Sequence, residues 1–125
     1  MNALKIRFLA YLGINTQSSE TSIYYPSTPG QWVLLRRLAW ELSVLGAEDV
    51  VLTPYGHLFA TIPATTTKDV PTIALVAHVD TAPDCSGAGV KPLVHENYAG
   101  GPILLPDAPG KSIDPEEYPY LKEKV

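Results

Sequence analysis

Two residues near the middle of the chain, His78 and Asp80, have the types and the spacing best suited to chemistry. Along an extended strand, side chains at positions i and i+2 project from the same face, so these two are expected to emerge together. A neutral imidazole can ligate zinc through one nitrogen while a nearby carboxylate holds the proton on the other nitrogen. The spacing alone permits a metal or catalytic role. The alternative, which is commoner for a histidine at the end of a strand, is a side chain that is only hydrogen-bonded.

Other nucleophiles and imidazoles in the chain give weaker patterns. Cys85 and Ser86 are adjacent, but the G-x-S-x-G elbow is absent and the sequence places no base beside either side chain. We interpret both as loop residues, with a cysteine or serine hydrolase as the alternative. His57 follows a turn glycine and His95 lies in an alternating segment, so neither is assigned to a metal.

Helical patterns occupy the first part of the chain. The spacing predicts a helix over Ala3–Leu12, ended by Gly13 in a left-handed conformation. A second helix is predicted to begin after Thr28, because threonine caps helices, a proline follows it, and Gln31 completes a capping box. An apolar stripe then continues until Gly46 ends the helix, and such a stripe needs a surface like a sheet to lie against.

Strand patterns follow the second helix. Val50–Thr53 and His57–Ile62 are short β-type runs joined by a Pro-Tyr-Gly turn, which predicts a hairpin. Thr72–Val79 is apolar almost throughout, as is typical of a strand buried on both faces. Pro92–Glu96 is a further strand candidate, and Asp114 begins a helix-start pattern. The predicted fold class is α/β, with two helices packed on a partial, mostly buried mixed sheet.

Composition limits the function classes. Of 125 residues, 46% are apolar and 18% charged, which is typical of a globular protein. The net charge is −4 without a cationic cluster, so nucleic-acid and membrane-surface partners are disfavoured. A single cysteine favours a reducing compartment. The uncharged run Phe8–Ile14 is interpreted as part of an amphipathic helix, with a signal-peptide core as the alternative, and we expect a cytoplasmic protein.

The segment Leu75–Gly87 closely resembles the first metal-site segment of the peptidase T family, tripeptide aminopeptidases related to carboxypeptidase G and aminoacylase. The likeness extends in order along nearly the whole chain, through Pro26-Ser27-Thr28, Gly30-Gln31-Trp32, Gly56, Glu96-Asn97-Tyr98 and Gly100-Gly101. The resemblance implies that His78 is the first zinc-binding histidine and that Asp80 is the catalytic aspartate that orients and polarises it. It also implies a two-zinc cofactor and hydrolysis of the first peptide bond of a tripeptide substrate.

The resemblance further implies that residues 1–125 are an N-terminal portion of the catalytic domain. Proteins of this family are several-fold longer, and their remaining metal ligands, paired glutamates and dimerisation domain have no counterpart in this sequence. Glu116-Glu117 lies outside the matched motif and is interpreted as part of a helix start. We therefore expect negligible activity from the chain alone, and self-association through uncovered apolar surface. The alternative function is a non-catalytic structural or binding module that retains the fold.

Overall fold

A computed structural model of the chain describes residues 2–124 and separates into two compact units, Met1–Pro92 and Leu93–Val125. The first unit contains two α-helices and one antiparallel strand pair: α1 (Ala3–Leu12), α2 (Pro29–Val44), β1 (Glu48–Leu52) and β2 (Leu58–Thr61). The second unit contains a short antiparallel pair and a 3₁₀ helix: β3 (Ile103–Leu104), β4 (Ser112–Ile113) and Pro119–Lys124. The predicted α/β class is confirmed in this broad sense. Among the described residues, no helix combines the length and apolar character needed to cross a membrane.

The helix α1 has the predicted bounds but a different C-terminal end. Its N-terminus is capped by Asn2, whose side chain accepts a hydrogen bond of 2.9 Å from the Leu4 amide. Gly13 is right-handed, with φ −75°, so the predicted left-handed terminator is wrong. The chain instead leaves the helix through a tight turn in which the Ile14 amide donates to the Tyr11 carbonyl at 2.9 Å.

The helix α2 begins at Pro29 with Thr28 as its N-cap, as predicted, but the capping box is wrong. The Thr28 hydroxyl donates to the Gln17 carbonyl at 2.9 Å instead of capping the helix. The Gln31 side chain donates to the Thr16 carbonyl at 3.3 Å. Gln31 also donates to the Ser27 hydroxyl at 3.2 Å. The two side chains therefore bind an earlier loop that lies against this end of the helix, and they form no reciprocal capping box. The predicted terminator is confirmed, since Gly46 has φ +87°.

A hydrophobic contact between α2 and the hairpin forms the core of the first unit. Leu34 and Leu35 are the buried apolar side chains of the described residues, and α2 contacts both β1 and β2. The predicted hairpin is confirmed, with Val51 opposite Phe59 and a register irregularity between Glu48 and Val51. Asp49 lies at that irregularity with φ +49°, a conformation that aspartate tolerates better than most residues.

A polar cluster around Glu41 joins α1 to α2. The buried Glu41 carboxylate accepts a hydrogen bond from the Tyr11 hydroxyl and another of 2.8 Å from Arg37, and it lies 3.8 Å from Arg7. The hydrogen bonds from Tyr11 and Arg37 lower the pKa of Glu41. The cluster therefore links α1, which contains no buried residue, to α2.

The predicted buried strand over Thr72–Val79 is wrong. Its residues belong to no strand, and Leu75 and Val76 are each 93% exposed. No backbone group of residues 62–80 forms a hydrogen bond to another backbone group within the described part of the chain. The apolar pattern is typical of a segment that is covered on both faces, but a strand also needs a neighbouring strand to pair with, and neither two-stranded sheet of residues 2–124 pairs with this segment. The strand pairs that are present are antiparallel and largely exposed rather than a mostly buried mixed sheet.

The second unit differs from its predicted elements. Pro92–Glu96 is not a strand, whereas β3 and β4 pair without a clear pattern in the sequence. Asp114 does begin a turn: its side chain accepts from the Glu116 amide at 2.9 Å and its carbonyl from the Tyr118 amide at 2.8 Å. The turn leads only to the 3₁₀ helix, which begins at Pro119.

Candidate active site

The structure brings His78 and Asp80 together. The His78 Nδ1 atom lies 3.1 Å from Oδ1 of Asp80 and 2.9 Å from the backbone carbonyl oxygen of Asp80. The two side chains therefore interact as the i, i+2 spacing predicts, although the segment is not part of a strand. Both are accessible, with side-chain exposures of 82% for the imidazole and 45% for the carboxylate.

This geometry determines which ring nitrogen can serve as a ligand. Both partners of the His78 Nδ1 atom are oxygen acceptors, so Nδ1 carries the proton in the neutral ring. The Nε2 atom then presents its lone pair. Zinc-bound histidines in proteins are held in the same way, with the second ring nitrogen donating to a carboxylate or a carbonyl. The pair can thus offer one oriented nitrogen ligand.

The backbone next to the pair is anchored on one side. Thr81, which directly follows Asp80, forms a parallel β-bridge with Gln17. In this bridge the Ser18 amide donates to the Thr81 carbonyl at 2.9 Å, and the Thr81 amide donates to the Thr16 carbonyl at 3.2 Å. This role of residues 16–18 is not predicted from the sequence. The one available signal is a run of polar residues, which does not name a tertiary partner.

The other candidate residues show no assembled chemical site. Cys85 is a free, exposed cysteine. His57 lies on the hairpin with its ring centroid 6.3 Å from that of Phe59. Glu116 pairs with Lys122 at 2.6 Å in the second unit. Residues 2–124 contain no group of three or more His, Cys, Asp and Glu side chains that could hold a metal ion.

Comparison with known proteins supplies a relationship over nearly the whole chain. No family model matches the sequence. A protein named Peptidase T from Geobacillus sp. (strain WCH70) is 46% identical over 120 residues, 96% of this chain. Proteins of the same name from Brevibacillus brevis and Listeria monocytogenes are 46% and 42% identical over 92% and 94% of it. This chain is related to peptidase T. The resemblance inferred from the motif residues is therefore confirmed.

The relationship covers a limited part of those peptidase T proteins. The chain spans 28–29% of the length of the relatives described above. Similarity at this level, continuous over more than nine-tenths of the chain, includes the segment that contains His78 and Asp80, since only a few residues of the chain fall outside the match. The matched region therefore contains the His78–Asp80 pair.

Proposed function

We propose that this chain contributes His78 and Asp80 to the two-zinc active site of a cytoplasmic aminopeptidase that removes the N-terminal residue from tripeptides. The observation that carries this proposal is the contact between His78 Nδ1 and Asp80, with an exposed ring, in a chain 42–46% identical to proteins named Peptidase T. On this proposal, residues 1–125 form the N-terminal part of a zinc-exopeptidase catalytic domain.

The chemistry of the pair fits one position of a zinc site. His78 would hold the metal through Nε2, since Asp80 already occupies the Nδ1 side of the ring. A catalytic zinc needs about three protein ligands, and the described residues supply no such group. The remaining ligands would therefore come from outside residues 2–124.

Each residue of the pair has a separate task. Asp80 holds the proton at Nδ1, and its negative charge makes the Nε2 lone pair of His78 a better ligand. When bound, zinc supplies Lewis-acid polarisation of the scissile peptide carbonyl. His78 and Asp80 by themselves provide neither a general base nor a substrate-binding pocket, so the chain alone should hydrolyse tripeptides negligibly.

A chimera tests the proposal directly. This chain would replace the matching segment of a full-length peptidase T relative, and zinc-dependent release of the N-terminal residue from a tripeptide would be measured. The chimera should be active. His78→Ala should lower kcat/KM by at least about 100-fold, and Asp80→Asn by about 10- to 100-fold, because loss of a carboxylate behind a metal-binding histidine has effects of that size.

The matched control is His57→Ala, which removes an exposed imidazole from the hairpin of the same unit and should leave the rate unchanged. Circular dichroism and zinc content would be measured for every variant. A folded, active chimera that keeps full activity after His78→Ala would disprove the proposal. A folded chimera without activity would favour the alternative, a non-catalytic module that retains the fold.

The exposed apolar segment at residues 72–77 supports a further proposal about partners. Ile73, Leu75 and Val76 are each more than 80% exposed. Residues 70–79 contain no Asp, Glu, Lys or Arg. Uncharged β-type segments with free backbone groups pair readily with another strand. We expect copies of the chain to self-associate through this segment.

A further inference from the structure

The side chain of Gln17 spans the loop that follows the His78–Asp80 pair. Its Nε2 atom donates to the Pro83 carbonyl at 2.9 Å, and its Oε1 atom accepts from the Gly87 amide at 3.3 Å. One amide group therefore satisfies a donor and an acceptor at two points of the same loop. A side chain that can only donate or only accept hydrogen bonds could not make both.

The segment on each side of Gln17 binds the residue that directly follows the pair. Both backbone groups of Thr81 are bonded to this segment: its amide donates to the Thr16 carbonyl, and its carbonyl accepts from the Ser18 amide and, at 3.2 Å, from the Ser18 hydroxyl. Residues 62–80 make no backbone–backbone hydrogen bond within the described part of the chain. The position of His78 and Asp80 is consequently set from their C-terminal side.

The segment 16–18 is itself fixed to the beginning of α2. The Thr16 carbonyl accepts from Gln31 as well as from Thr81, and the Gln17 carbonyl accepts from Thr28. Thr16 and Gln31 are each only 4% exposed. Buried polar groups that are fully paired hold a single arrangement. A continuous series of hydrogen bonds therefore runs from α2 through Gln17 to the loop after the pair.

Close packing supports the same arrangement. A Cβ atom added at Gly87 would lie 2.7 Å from Oδ1 of Asn15 and 3.5 Å from Cβ of Gln17. The Asn15 Oδ1 atom in turn accepts from the Gln17 amide at 3.1 Å. The loop therefore approaches Gln17 as closely as the absence of a side chain at Gly87 permits.

We infer that Gln17 is a positioning residue for the His78–Asp80 pair: it anchors the loop after the pair and thereby keeps the imidazole against the carboxylate. This inference rests on the proposed function for its consequence in catalysis. The effect of Gln17 on the His78 tautomer does not depend on catalysis and can be measured in the chain itself.

The test compares Gln17→Met, which keeps the approximate side-chain length but removes both hydrogen bonds, with the unaltered 125-residue chain. Nitrogen-15 NMR of the histidine ring should show His78 as the Nδ1-protonated tautomer in the unaltered chain and a mixture of tautomers in the variant. Hydrogen exchange of the Gly87 amide should accelerate by about tenfold or more, as expected for the loss of a local anchor. In the active chimera, kcat should fall by about tenfold, as for other groups that orient a ligand, with a smaller change in KM.

Leu34→Ala is the control, because it removes a buried side chain of α2 that forms none of these hydrogen bonds. It should lower stability and leave the His78 tautomer unchanged. If Gln17→Met leaves the His78 ring signals unchanged while Gly87 exchange accelerates, Gln17 holds only the loop and the inference is overturned. If the tautomer changes but His78→Ala has no effect on the chimera, the positioning role stands and the proposed function fails.

Discussion

Two neighbouring regions of the first unit are both rich in apolar residues, but only one of them buries apolar side chains. In residues 28–61, α2 lies on the hairpin and Leu35 is only 3% exposed. In residues 62–80, Leu75 is 93% exposed and the backbone has no backbone partner among the described residues. The hairpin contains both of its strands within residues 48–61, so its hydrogen bonds are satisfied locally. The single apolar run at residues 72–79 cannot satisfy its backbone hydrogen bonds by itself. It forms a strand only where a second strand pairs with it.

The largest expected effect contrasts the same substitution in the two regions. Leu35→Ala should lower the free energy of unfolding by about 2–5 kcal/mol, because it leaves a cavity under α2. Leu75→Ala should change it by less than about 0.5 kcal/mol, as is usual for exposed positions. Urea unfolding followed by circular dichroism measures both. If Leu35→Ala and Leu75→Ala lower the free energy of unfolding equally, residues 72–77 are covered in solution and the two regions do not differ in packing.

A smaller effect concerns the polar cluster that holds α1 on the better-packed region. The hydrogen bonds from Tyr11 and Arg37 lower the pKa of Glu41, so the unfolded chain takes up a proton first as the pH falls. The stabilisation is therefore complete above the ordinary glutamate pKa of 4.5 and is lost as the pH falls through the lowered value. Glu41→Gln should cost about 1.5–3 kcal/mol at neutral pH, the range for hydrogen bonds to a charged group.

The difference in unfolding free energy between Glu41→Gln and the unaltered chain should shrink as the solution is acidified below pH 4.5. Glu116→Gln is the matched control, because its ion pair with Lys122 is exposed and belongs to the second unit. It should change stability little at any pH. If the difference in unfolding free energy between Glu41→Gln and the unaltered chain stays constant from neutral to acid pH, folding does not lower the pKa of Glu41.

The smallest effect on the folded chain itself is expected in residues 72–77. Val76→Lys should leave the unfolding free energy nearly unchanged but weaken self-association by about tenfold or more, since burying a valine contributes about 1.5–3 kcal/mol. Sedimentation velocity at increasing concentration measures this. Ile23→Lys is the control at another exposed apolar site, with 81% exposure. Association that is lost only in Ile23→Lys would place the contact elsewhere.

The elements that were predicted correctly depend on neighbours in sequence. The bounds of α1, the start of α2 after Thr28 and the hairpin follow from spacing, a first-turn proline and a turn that joins two adjacent strands. The closeness of His78 and Asp80 was also predicted from local spacing, because side chains two residues apart on an extended backbone project to the same side. The wrong predictions concern residues whose partners are distant, such as Gln31, which bonds to Thr16 rather than completing a capping box.

Local sequence patterns specify the two helices and the hairpin and place an imidazole two residues from a carboxylate, and the sequence as a whole shows the relationship to peptidase T. The anchoring of the loop beyond the pair by Gln17 and the exposure of residues 72–77 follow instead from the tertiary fold. The physical reason is the range of the interactions. Periodicity and capping act over a few residues, whereas a hydrogen bond from Gln17 to Pro83 or the cover of a strand depends on which surfaces the folded chain brings together.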